Sequence, residues 1–199
     1  MTILAFPALA PSSIDFGLMS NTQVFSSPLS KTIQGVELPG ARWVATLTFE
    51  NMAPAQRRLM TAFLVKLRGQ SGRFYLWDFS HAAPAGIATG TPVVHGASQV
   101  GTSLVTTGWT VDQTGILLAG DYFTAGSELK MLVDDANSDS AGDATLVFEP
   151  PLRSSPGDTT AITLTQASCS MLTSEDLVKW SVVPPNLSSV TIQCFEDIV

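Results

Sequence analysis

The chain has 199 residues, 45% of them hydrophobic, and a mean hydropathy of +0.25, which is ample for a buried core and argues against disorder. Only 14% of the residues are charged and the formal net charge is −7, so a nucleic-acid partner, which needs a basic surface, is not expected. Low charge with much Ser, Thr, Ala and Gly leaves a largely uncharged surface, as fits a subunit packed among others or a quiet monomer.

From the start of the chain the pattern is strand and turn. Ile3 to Leu9 is an apolar extended piece. The N-terminal stretch Met1 to Gly17 lacks a basic start and is interrupted by Pro7 and Pro11, so it does not read as a secretion signal. Pro11-Ser12-Ser13 is a turn, Ile14 to Leu18 and Thr22 to Phe25 are short extended runs, and Ser26-Ser27-Pro28 is a break. Lys31 to Leu38 follows, closed by Pro39-Gly40. The clearest strand is Arg42 to Glu50, where Trp43, Ala45, Leu47 and Phe49 alternate with the intervening residues and face a core. A helix over 54–68 comes next: Pro54 suits the first turn and Gly69 offers a left-handed stop. Its stripe is Leu59, Phe63 and Leu67, with Met60 and Leu64 beside it. The aromatic run Arg73 to Asp78 then reads as a strand, which places a single helix across a sheet.

After His81 the rhythm changes. Ala82 to Gly90 is small and Pro/Gly-rich, a linker or exposed crossover. Short β-like runs then recur at Thr91–His95, Thr102–Thr107, Trp109–Val111, Ile116–Leu118, Tyr122–Phe123, Glu128–Val133, Ala144–Phe148 and Thr160–Thr165. That spacing predicts a small antiparallel barrel or sandwich. The final alternating run, Val190 to Glu196, is able to rejoin the first sheet and make the middle an insertion. The expected organisation is mainly β: residues 1–85 with 172–199 form one domain carrying the helix, and 86–171 form a second, all-β domain. No stretch approaches the roughly 20 apolar residues of a membrane span, so a chain soluble when made, with no membrane insertion, is expected.

Motifs that carry chemistry are scarce. His81 and His95 lie in different runs without a local nucleophile motif and read as surface or hydrogen-bonded structural residues. The helix is preceded by Asn-Met-Ala-Pro, lacking the glycines and Lys of a phosphate loop. Cys169 and Cys194 follow no metal spacing and are too few for a disulfide framework, so two reduced, buried thiols are expected. Asp135, Asn137 and Asp139 stand at the first, third and fifth positions of a calcium loop. The sixth is Ser140 instead of Gly and the twelfth Leu146 instead of Glu, which makes 134–143 a solvated hairpin loop. Of the aromatic residues, Trp43, Trp77 and Tyr75 read as core, whereas Trp109 and Tyr122, in the turn-rich second domain, are candidates for an outward platform that stacks on sugar rings. No enzymatic constellation, metal site or cofactor site emerges.

Several runs together are similar to tail-tip proteins of long-tailed bacteriophages, of the distal-tail or minor-tail type: Phe6-Pro7, Ser26-Ser27-Pro28-Leu29-Ser30, Pro39-Gly40-Ala41-Arg42-Trp43, Leu67-Arg68-Gly69-Gln70-Ser71-Gly72 and Phe74-Tyr75-Leu76-Trp77-Asp78. In the second domain Gly90 to Val94, Gly96 to Gly101, Ala119 to Phe123 and Glu149 to Arg153 resemble the same proteins. The resemblance implies a tail-tube-like β-barrel or sandwich flanked by one helix, in a homo-hexameric ring between the tail tube and the central hub or baseplate. It implies a virion protein at the tail tip, made in the host cytoplasm, with copies of itself, the tail tube protein and the hub as partners and no catalytic role. It also makes the segment around Phe25, Leu29, Ile33 and Val36 a protruding hairpin at a subunit contact. The rival expectation is a carbohydrate-binding module that recognises a host-surface glycan through Trp109 and Tyr122.

Overall fold

The computed structural model describes residues 3–185 and 187–198. The chain is mainly β, with one α-helix among the described residues. The strands are β1 (Ile3–Ala5), β2 (Ser13–Met19), β3 (Thr22–Ser26), β4 (Ile33–Glu37) and β5 (Arg42–Met52), then helix α1 (Pro54–Leu67) and β6 (Arg73–Trp77). They continue as β7 (Gly90–Val94), β8 (Gly101–Trp109), β9 (Tyr122–Ala125), β10 (Glu128–Leu132), β11 (Ala144–Leu152), β12 (Ile162–Thr163), β13 (Ser168–Thr173), β14 (Ser181–Val183) and β15 (Leu187–Glu196). Internal packing divides the chain into a barrel unit, Met1–Ala10 with Phe74–Ser170, and a helix unit, Pro11–Arg73 with Met171–Val199.

In the helix unit the long strand β5 runs antiparallel between β2 and β15. Its expected alternation holds: Trp43, Ala45, Leu47 and Phe49 are all buried, because successive side chains leave opposite faces of the pleat. The last run does rejoin this sheet, from Ser188 opposite Met52 to Phe195 opposite Val44, and β15 also pairs with β13 and with β14. At one end of the sheet Glu196 is buried, and its Oε2 accepts the Trp43 backbone N–H at 3.1 Å.

Helix α1 covers the core face with Met60, Phe63, Leu64 and Leu67, each such burial contributing about 1.5–3 kcal/mol. The expected stripe is displaced: Leu59 is exposed. At about 100° per residue the four buried positions share one face, and Leu59 falls outside its edge. Pro54 starts the helix, and the Gln56 side chain reaches back to accept the Ala53 N–H at 3.0 Å. The left-handed stop comes one residue earlier than expected, at Arg68 with φ 56°.

The barrel unit holds a six-stranded sheet in the order β12-β9-β10-β11-β8-β7. Its two end strands nearly close on each other through a Val93–Ala161 bridge and the bonds Val94 N–H to Thr160 O and Thr159 N–H to Val94 O, both 2.9 Å. Strands β9 and β10 join through a two-residue turn with Gly126 at φ 65°, the geometry that matches strand twist. The interior is packed with Leu104, Phe123, Leu146 and Phe148 among others, and the rings of Phe123 and Phe148 meet edge to face at 5.4 Å. The expected run Thr102–Thr107 lies in β8, which ends at Trp109, so of the expected run Trp109–Val111 only Trp109 is strand and Val111 is in a turn. Ile116–Leu118, expected as a strand, is instead a core-filling loop held by a single bridge from Leu117 to Ala136.

Cys169 and Cys194 are both buried. Burial pushes the Cys194 thiol up to about 12, although its hydrogen bond with Ala45 O acts in the other direction. The folded chain is therefore expected to leave both thiols unmodified by a water-soluble disulfide reagent at neutral pH, with both reacting after denaturation; rapid labelling of folded protein would contradict this burial.

Candidate functional site

Strands β3 and β4 form a two-stranded sheet of their own, paired from Thr22–Glu37 to Ser26–Ile33. Every residue of both strands is exposed. The tip is ordered by its own bonds: Ser27 N–H to Thr32 O at 2.9 Å and Lys31 N–H to Ser27 O at 3.0 Å, with the Ser30 and Thr32 hydroxyls 2.8 Å apart. At the base Asn21 donates to Pro39 O at 2.7 Å and accepts the Leu38 N–H at 2.8 Å.

Cross-strand register decides which apolar groups share a face. Val24 and Ile33 lie on one side and Phe25 and Val36 on the other, because alternate residues project oppositely. Leu29, 96% exposed, crowns the tip, and Ile33 is 74% exposed. The sequence candidates Phe25, Leu29, Ile33 and Val36 are thus gathered on one hairpin, over two faces and its end. A two-stranded ribbon is marginal alone in water, and a contiguous exposed apolar surface marks an interaction site.

The candidate sugar platform is not formed. Trp109 is only 4% exposed, and its indole N–H donates to Thr106 Oγ1 at 2.8 Å, whose hydroxyl in turn donates to Ala144 O at 2.9 Å. The outward expectation fails because β8 changes parity. Leu104 and Thr106 are buried at even positions, and beyond Gly108, at φ +88°, the odd-numbered Trp109 is buried as well, where a register shift between Gly90 and Val93 of β7 faces Trp109 and Thr107. A Cβ on Gly108 would lie 2.6 Å from Thr91 O, so only glycine allows this approach of β7 and β8. Tyr122 is half-buried, edge-on to the His81 ring at 5.5 Å, and burial followed by the Asp78 charge pushes its phenol up to about 12.

The acidic loop supplies acceptors to backbone turns. Asp135 accepts the Ala119 N–H at 2.8 Å, Asn137 that of Gly115 at 2.7 Å, and Asp139 those of Ala141 and Asp143 at 2.8 and 2.9 Å. Backbone N–H donors, those of Asp143 and Ala141 first, hold the Asp139 carboxyl below its usual range. Among the described residues no group of three or more His, Cys, Asp or Glu is placed to hold a metal ion.

Sequence reasoning missed three polar clusters in the barrel unit. Asp78, Ser80 and His81 form the first: Ser80 Oγ donates to Asp78 Oδ1 at 2.6 Å, and Ser80 Oγ and Asp78 Oδ2 both approach the same ring nitrogen, His81 Nδ1, at 2.8 and 3.1 Å. A nucleophilic relay needs hydroxyl and carboxylate on opposite nitrogens, so this is a turn lock; the adjacency Asp-Phe-Ser-His was its available signal. His95 lies apart from it, with Nδ1 3.4 Å from Asp143 Oδ2. The second is the buried carboxylate of Asp121, which accepts the N–H groups of Ala85, Gly86 and Leu118 at 2.7, 3.1 and 2.8 Å. The third is the buried pair Glu128–Lys130, with Nζ 2.7 Å from Oε2.

No protein-family model matches the chain, and no curated protein matches it in sequence.

Proposed function

We propose that this chain is a structural subunit of the tail tip of a long-tailed bacteriophage, forming with its own copies a ring, hexameric in the proteins it resembles, between the tail tube and the hub. The observation that carries this reading is the β3–β4 hairpin: a ribbon exposed along its whole length, with two apolar side chains on each face, and crowned by Leu29. Nothing in a solitary chain's stability calls for such a surface, whereas a neighbouring subunit covering it would remove the apolar groups from water. The largely uncharged composition suits the same use. In this role the chain works by broad contact and performs no chemical step.

The test is the mass of the purified chain together with its image in the electron microscope. A closed ring of fixed copy number is expected. The Leu29→Ser/Ile33→Ser variant should remain monomeric with an unchanged melting temperature, since the two side chains bury little in a single chain. A wild-type chain that stays monomeric up to high concentration, or a ring indifferent to the double substitution, rejects the reading.

A further inference from the structure

The sheet of the helix unit has an outer side, facing away from α1, and strand register fixes what lies on it. Because Trp43, Ala45 and Leu47 point to the core, Arg42, Val44 and Thr46 project the other way. Residues opposite one another share a face, so three rows cross β2, β5 and β15. The first is Asp15, Thr46 and Gln193, the second Gly17, Val44 and Phe195, and the third Met19 and Arg42. They border a hollow of about 520 Å³, a size usual for a small-molecule site. Two of its residues are not accounted for by the fold. Gly17 sits in mid-strand without a positive φ, and a Cβ added there meets nothing within 4 Å. Neither conformation nor crowding calls for glycine, and a glycine inside a strand weakens the sheet unless something approaches it closely. Arg42 is the other. Its guanidinium lies 4.8 Å over the Phe195 ring, its Nε is buried with no hydrogen-bond partner, and among the described residues no carboxylate pairs with it. The carboxylates that follow Phe195 are engaged elsewhere: Asp197 with Arg73 Nε at 2.6 Å, and Glu196 on the core side with the Trp43 N–H at 3.1 Å.

We propose that this trough binds a small monocarboxylate with a compact apolar body. The carboxylate bonds to the Arg42 guanidinium beside Phe195, and the body runs across Val44 into the notch that Gly17 leaves. Each part of the trough limits the ligand. An arginine with an unused donor and no counter-charge selects an anion that accepts hydrogen bonds in a plane. A strand spacing of about 4.8 Å puts Gly17 two steps, or about 10 Å, from Phe195, the length of a carboxylate joined through a short linker to one ring. Asp15 is the other charge in the lining, two residues along β2 from Gly17. It repels a second anionic group on the ligand, so a monoanion fits where a dianion does not. Thr46 and Gln193, in the same row as Asp15, add only neutral polar groups. The trough uses neither the β3–β4 hairpin nor a second copy of the chain, and it stands or falls apart from the assembly reading.

The test is equilibrium dialysis of the full chain against phenylpropionate and against phenylpropanol, its uncharged counterpart. Wild type is expected to take up one phenylpropionate per chain and to bind it about tenfold more tightly than the alcohol, the contribution of a charge-assisted hydrogen bond. Arg42→Met, which keeps an unbranched apolar stem, should bind the two alike. Gly17→Val fills the notch with a side chain that strands favour. Both probes should then bind about tenfold more weakly, while the melting temperature stays level or rises. Absence of saturable phenylpropionate uptake at millimolar concentration overturns the site, as does equal binding of acid and alcohol by wild type, or uptake that either substitution leaves unchanged. A lower melting temperature for Gly17→Val would return that glycine to the fold and overturn the notch.

Discussion

A Glu128→Ala variant is expected to lose about 3–5 kcal/mol of stability, the effect of stranding one member of a buried ion pair. Lys130 is 0% exposed, and its ammonium lies 2.7 Å from Glu128 Oε2 and 2.9 Å from Pro151 O. Without the carboxylate a cation is left in the barrel interior with its counter-charge gone. The N–H groups of Arg153 and Ser154, which bond to Glu128 at 3.1 and 2.9 Å, lose their acceptor too. Urea unfolding at neutral pH measures the loss; a midpoint unchanged from wild type would show that the pair contributes nothing. Glu128→Leu with Lys130→Met should recover only the part due to the stranded charge, because the Arg153 and Ser154 N–H groups still lack their acceptor. Acid gives an independent reading. Burial alone would raise the Glu128 carboxyl, but the Lys130 hydrogen bond and charge, with the backbone donors of Arg153 and Ser154, hold it below its usual value of 4.5. A carboxyl with a lowered folded pKa contributes stability that is full above the unfolded value and is lost as pH falls through the folded one. The gap between wild type and Glu128→Ala should therefore narrow as the pH drops below about 4.5.

Asp121→Ala should cost about 3 kcal/mol, from three backbone donors losing a shared acceptor at the low end of about 1–3 kcal/mol each. The carboxylate joins Ala85 and Gly86 to the turn at Leu118, and the Asp121 backbone carbonyl accepts the Leu132 N–H at 2.9 Å. Asp121→Asn keeps one acceptor oxygen and should fall between wild type and alanine. Hydrogen exchange resolves the local consequence: the Ala85, Gly86 and Leu118 amides should lose protection before those of β10 and β11. Equal protection in the alanine variant would mean that other groups hold these loops.

What was legible in the sequence follows from what leaves a periodic trace. Strand β5 was readable because its inward and outward residues differ in chemistry position by position, and β15 because it repeats the alternation in Val190, Ile192 and Cys194. Helix α1 was readable as an element, but its buried face was misplaced by one position because Leu59 and Met60 are equally apolar and only packing distinguishes them. In the barrel unit the trace weakens. A lysine in a strand reads as solvent-facing, so Lys130 gave no hint that Glu128, two residues earlier on the same face, follows it inside. Trp109 was misassigned because the alternation of β8 breaks at Gly108, which has positive φ, so the strand's last residue turns inward out of step with Leu104 and Thr106. The hairpin residues were found through a resemblance of turns and strands, since a ribbon exposed on both faces has no buried stripe to betray it.

The pairing of β5 with β15 also constrains how the molecule is made. Trp43 and its partner Glu196 are 153 residues apart, so during translation the central strand of the helix unit waits, with one flank bare, until the whole of β7–β12 has left the ribosome. The barrel unit, whose neighbouring strands are mostly close in sequence, can finish first. A nascent chain thus displays the hairpin before the sheet that anchors it is whole.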